Sequence, residues 1–333
     1  MPIDGGSLPS RGRLYRALPR SRSALLIVLG ILAACATPPV QETKQFQQAF
    51  TAVDGVGQPV LDDLANAERL QGQEVAVARA KRAASNAAAS TGQDCSPAWR
   101  KIVANSGYIA GFCIADAGFY SKIGDPPQTL AFRRALALIG QFAQALTALS
   151  DGTSAAVATA QVQQLAQDAG SVAASVGGSV SGVGAAIGPV VNEIAAALSP
   201  LINRVAMIAS TQQERDVVIA AAPKIGTLII ALEHAAPAMF NTLTEQAQKQ
   251  IELSDQPRTS DAAPIEAYRV VLSDYVVLLG RLDAAWNQLV TVVKQPSNAV
   301  SLAALTQTSS QIVADAAVVR QSLARLRRGD STN

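Results

Sequence analysis

The chain of 333 residues carries 27 basic and 25 acidic side chains, with two Trp, five Tyr, seven Phe and three Cys. Five arginines but only Asp4 among the acids fall in residues 1–34, which leaves 22 basic against 24 acidic residues beyond them. No basic, ring-interleaved face remains to argue for nucleic acid as a partner. The length admits one large domain or two smaller ones, and a chain rich in Ala, Leu, Val and Gln with few rings predicts helices packed closely through small side chains.

The first organised stretch is Arg11, Arg13, Arg16, Arg20 and Arg22, followed by the apolar run Ala24 to Leu32 and the box Leu32-Ala33-Ala34-Cys35. A basic segment, a short apolar core and small residues before a cut form an export signal. A membrane-spanning helix needs about 20 apolar residues. This run is shorter and is stopped by Pro38-Pro39. With a cysteine just past the small residues, the stretch resembles a bacterial lipoprotein signal peptide. The resemblance implies removal of residues 1–34, a diacylglyceryl group on the Cys35 thiol, and acylation of the new amine with a fatty acid such as palmitate. Two or more acyl chains make a stable anchor where one does not. Ala36, rather than an aspartate, stands after the cysteine, which by the same resemblance favours the periplasmic face of the outer membrane. The resemblance concerns delivery and says nothing about the body of the chain.

Outside the cytosol, the two remaining thiols, Cys95 and Cys113, are most simply a disulfide. Closing that loop would stabilise by about 3 kcal/mol on the chain-entropy model. Two unpaired buried thiols are the other reading. With His234 as the sole histidine, no metal site and no cofactor is expected.

Residues 35–44, with Pro38-Pro39, read as a lipidated, extended tether ahead of a helical body, 45–333. Phe46, Phe50, Val53, Val60 and Leu64 form the stripe of one helix face. Asp54-Gly55-Val56-Gly57-Gln58-Pro59 predicts a break or kink within it, with a second helix from about Pro59 to Ser90. Its alanine-rich end, with Arg79, Lys81 and Arg82, reads as a solvated face. Residues 91–127 form the irregular part, where the cysteine pair meets a cluster of rings. The bland reading is a small core that staples a connection. The functional one is an aromatic-lined pocket, with Trp99, Tyr108 and Tyr120 as the wet-edged rings.

Leu130, Phe132, Leu136, Ile139, Phe142, Leu146 and Leu149 predict the next helix, ended by Asp151-Gly152. A weaker helix runs from Ala155 to Ala169. Residues 169–192 then carry no charge, and Gly178 to Gly182 and Gly184 to Gly188 both read G-x-x-x-G, a spacing that lets helices approach closely in a bilayer. An apolar turn packed on the bundle, a membrane-inserting hairpin of the kind used by helical pore-forming toxins, and a permanent span compete for this stretch. Helices follow over about 190–209 and 212–253, the second kinked or broken at Pro223 and Pro237. His234 between these prolines reads as a surface or capping residue. Last come two heptad stripes. Tyr268, Tyr275, Leu282 and Leu289 with Leu272, Leu279, Trp286 and Val293 form one helix. Leu305, Ile312, Val319 and Leu326 with Leu302, Ser309, Ala316 and Leu323 form the other. Joined at Pro296-Ser297-Asn298, they predict an antiparallel heptad hairpin, a short coiled coil.

No CxxC, HExxH, GxSxG or phosphate loop is present, so the common nucleophile and base arrangements lack their parts. Asp62 and Asp63, or Glu214 and Asp216, are too close in sequence to face each other on a helix. The sequence therefore predicts an all-α, elongated helical bundle. Its expected role is binding or scaffolding in the cell envelope without catalysis, with the membrane and an envelope protein or cell-wall polymer as partners. The alternative is a membrane-active protein that inserts the 169–192 hairpin.

Overall fold

In the computed structural model, residues 40–85, 95, 99–100, 108–109, 111–150, 160, 164, 211–256, 258–295 and 299–328 are described. The stretch expected to be an export signal, with Cys35, the glycine-rich stretch 169–192 and the corner 296–298 lie outside the described residues. Helix α1, Val40–Ser85, is 46 residues long, about 69 Å at 1.5 Å per residue. It is followed by α2, Pro127–Ser150, α3, Thr211–His234, α4, Ala236–Leu253, α5, Ala263–Lys294, and α6, Ala299–Arg328. The protein is all-α apart from a two-residue antiparallel ladder, β1 (Trp99–Arg100) with β2 (Tyr108–Ile109), among the described residues.

Side-chain contacts fix the helix directions. Gln47 meets Thr147 and Glu68 meets Thr129, so α1 and α2 run antiparallel. Gln45 meets Thr306 and Asp63 meets Arg327, so α6 runs parallel to α1. Arg281 pairs with Asp315, and Tyr268 lies close enough to Arg327 to feel its charge, so α5 runs back along α6. Trp286 donates its indole N–H to the Ala222 carbonyl at 2.9 Å, and Gly280 faces Glu233, which sets α3 antiparallel to α5. One core unites these helices, with Trp286, Tyr275, Phe46 and Phe132 as its largest fully buried side chains. Phe46 and Phe142 tilt against Trp286 at centroid separations of 5.3 and 5.6 Å, within the range where ring pairs attract.

The break expected at Asp54 to Pro59 does not occur, since α1 continues through it with Pro59 inside the helix. Gly57 is there for contact. A Cβ at that position would stand 2.7 Å from Tyr275 Oη and 3.3 Å from its Cζ. Gly140 of α2 does the same for Phe50, whose ring would lie 2.6 Å from an added Cβ. The start of the body also moves. Val40 to Lys44, expected as tether, form the first turn of α1, and Thr43 is buried with its hydroxyl on the Val40 carbonyl.

Both C-terminal stripes are buried along most of their length, from Leu272, Leu279, Trp286 and Val293 to Leu305, Ile312, Ala316 and Leu323, while Tyr268, Leu302 and Leu326 are half-buried. They serve a shared core and not a self-contained heptad seam. Helix α5 packs on α6, α3, α1 and α4, and buries Val271, Leu278, Ala285 and Val292 in addition. The stretch Thr259–Lys294 has the length and apolarity of a membrane span, with mean hydropathy 1.3. Twelve of its residues, from Val271 to Val293, are buried against neighbouring helices, while Val270 and Val277 are exposed. Of the two prolines expected to disturb 212–253, Pro223 is accommodated inside α3. Pro237 opens α4 after a turn at Ala235, where its missing N–H costs nothing.

Candidate functional site

The core face of α1 changes character after Leu64. Leu64, Glu68, Gly72, Ala76 and Ala80 follow at spacings of four and all are buried. Small or polar residues replace the large apolar ones, and the room they leave is filled by the segment between β2 and α2. Phe119 lies over Gly72 so closely that an added Cβ would stand 2.2 Å from its ring. Gln73 donates to the Phe119 carbonyl at 3.0 Å. Arg69 reaches the Ser121 and Gly124 carbonyls at 3.1 and 2.9 Å. Arg79 pairs with the buried Asp116 at 2.6 Å. The alanine-rich end of α1 is therefore covered on its Ala76 and Ala80 side and is not the fully solvated helix its composition suggests.

Glu68 closes the arrangement. Its carboxylate accepts from the backbone N–H groups of Gln128 and Thr129 at 2.9 and 3.0 Å and from the Thr129 hydroxyl at 3.0 Å. It caps the first turn of α2 from another helix, satisfying N–H groups that a helix start leaves open. Burial pushes its carboxyl above the usual range, and these hydrogen bonds oppose the shift. On the neighbouring face, Glu74 is held below its usual range by hydrogen bonds from Lys249 and Gln246 of α4.

Cys95 and Cys113 lie at disulfide distance, S–S 2.14 Å, where an isolated bridge joins their strands. Trp99 pairs in register with Ile109 and Arg100 with Tyr108, so both candidate rings stand on one small ladder. Tyr120 is 48% exposed. An open groove of about 440 Å³ is lined by Leu70, Glu74, Val77 and Lys81 of α1 with Gln246 of α4, and a second groove lies between α5 and α6. Gly178, Gly182, Gly184 and Gly188 lie outside the described residues, as does Cys35.

Asp62 and Asp63, considered for acid and base work, are engaged in ion pairs. Asp62 pairs with Arg133 at 2.6 Å and Asp63 with Arg327 at 2.8 Å, on two different helices. Asp216 and His234 are exposed. No group of three or more His, Cys, Asp or Glu able to hold a metal ion occurs among the described residues.

Sequence reasoning missed Glu68, Arg69, Gly72, Gln73 and Arg79. The signal for Glu68 and Gly72 was the continued four-residue spacing after Leu64, in which a glutamate and a glycine occupy core positions. Comparison with protein-family models, with curated proteins and with solved structures found no match, so the account of this chain rests on its own residues.

Proposed function

We propose that this chain is a lipid-anchored cell-envelope protein that works by binding or scaffolding, not by catalysis. The observation that carries this reading is the box Leu32-Ala33-Ala34-Cys35 behind five arginines and an apolar run too short to span a bilayer. The Cys95 and Cys113 pair at bonding distance suits an oxidising compartment. Ala36 favours the periplasmic face of the outer membrane. The helical body then acts as a rigid support, and its Asp62 and Asp63 carboxylates serve as ties between helices.

Growth of producing cells with labelled palmitate tests it directly. Mass spectrometry of the purified protein should find an acylated N-terminal peptide that begins at Cys35, and Cys35→Ser should take up no label. A protein that keeps its first thirty-four residues and stays unlabelled overturns the reading.

A further inference from the structure

We infer that the outer side of the segment 111–124 is a bilayer-contact tip that takes anionic phospholipid, separate from the acyl anchor at Cys35. The segment has two sides. Its inner residues Cys113 and Asp116 are buried, and Phe119 seats on Gly72. Its outer residues Phe112, Ile114, Tyr120 and Ile123 are exposed, Ile114 to 67% and Ile123 to 101%. Exposed apolar side chains scattered singly are ordinary, but a contiguous set of them marks an interaction site. Here four occur within residues 112–123, on a segment held in shape by the disulfide and by Arg69, Gln73 and Arg79.

Charge decides the occupant. The one acid of the segment, Asp116, is engaged by Arg79, and Asp125 just beyond it by Arg133 at 2.9 Å. Lys122 stands exposed between Tyr120 and Ile123, and Lys81 is exposed on the adjoining turns of α1. Exposed aliphatic side chains and a tyrosine beside Lys122, with Lys81 on the neighbouring helix, match the layers of an anionic bilayer surface, where rings settle at headgroup level and cations meet phosphate. A fluid bilayer also demands no shape match from these side chains, whereas a protein partner would have to supply a matching surface. Gly72, beneath the tip, lies 32 residues along α1 from Val40, roughly 48 Å.

The test is hydrogen–deuterium exchange with peptide-resolved mass spectrometry on the full chain purified from cells. It is incubated with phosphatidylcholine vesicles alone or mixed with phosphatidylglycerol. Amides of 111–124 should slow about tenfold on the anionic vesicles only, the scale set by burying one isoleucine. The double substitution Ile114→Asp and Ile123→Asp should abolish the slowing, and Ile123→Leu should keep it. Both isoleucines are exposed, so an unchanged circular dichroism spectrum is expected of each variant. Overturning results are no slowing at 111–124, slowing that survives the double substitution, or slowing given by an envelope protein extract but not by vesicles. The mass of the N-terminal peptide reports acylation in the same experiment, so a failed anchor and a failed tip are told apart.

Discussion

The two halves of α1 use one continuous helix face for different work. Before Leu64 the face carries Phe46, Phe50, Val53 and Val60, and meets α2, α5 and α6 through apolar burial and glycine contacts. After Leu64 it carries Glu68, Gly72, Ala76 and Ala80, and with the neighbouring Gln73, Glu74 and Arg79 it holds the 111–126 segment, the first turn of α2 and α4 through hydrogen bonds and ion pairs. Apolar burial is non-directional and large in sum, whereas polar ties are directional and modest each. The first half therefore secures the bundle, and the second half positions a surface.

The largest effect that sharpens this contrast is expected of Phe46→Ala. It empties a fully buried site against Trp286 and should cost about 3–5 kcal/mol in denaturant unfolding. Glu68→Ala should cost about 2–3 kcal/mol by leaving buried donors of Gln128 and Thr129 unmatched. Its signature is local, with faster proteolysis and exchange over 111–130 ahead of global unfolding. If Glu68→Ala melts the bundle and the segment together, the division of α1 fails. Gly57→Ala should cost about 1–3 kcal/mol through its clash with Tyr275, and Tyr275→Phe in that background should recover part of it. Gly55→Ala has only Arg320 Nη1 nearby, at 3.6 Å, and should be neutral or stabilise by up to about 1 kcal/mol.

Acid titration gives the smallest effect and a test of sign. Burial raises the Glu68 carboxyl above its unfolded value, so its ionised form disfavours folding at neutral pH, and that cost vanishes as pH falls through the folded pKa. Glu74 is lowered, so it stabilises at neutral pH, and this contribution is lost as pH falls through its folded pKa. Stability of the wild type relative to Glu68→Gln should therefore rise from neutral pH down to about 4. Relative to Glu74→Gln it should stay nearly level down to about 4 and fall only below that. Differences of the same sign would contradict the two environments.

Much of the bundle was legible because its signals are periodic. Phe46, Phe50, Val53, Val60 and Leu64 were expected on one face and are buried together. The helix expected from Leu130 to Leu149 forms as α2, Pro127–Ser150. The reading failed where propensity and contact disagree. Gly55 and Gly57 weaken an isolated helix by about 1 kcal/mol each, yet Gly57 falls in phase between Val53 and Val60, where Tyr275 fills the space a side chain would take. The phase of the stripe, not its chemistry, was the better guide. The docking surface on α1 was hidden for a related reason. Glutamate, glycine and alanine read as solvated residues until the partner segment arrives from 46 to 61 positions away. In the heptad stripes the buried positions were right and the partner was incomplete, because a period of seven does not say how many neighbours an apolar face will meet.

Attachment by polar ties to one side of α1 gives the stapled segment an asymmetric dependence on the bundle. It can lift away while Phe46, Tyr275 and Trp286 stay packed, since none of them touches it through the ties described. The bundle cannot open without bending the strut on which the segment rests. The molecule thus has a ladder of opening energies with the stapled loop on a low rung, and mild stress should loosen that loop before it disturbs the scaffold.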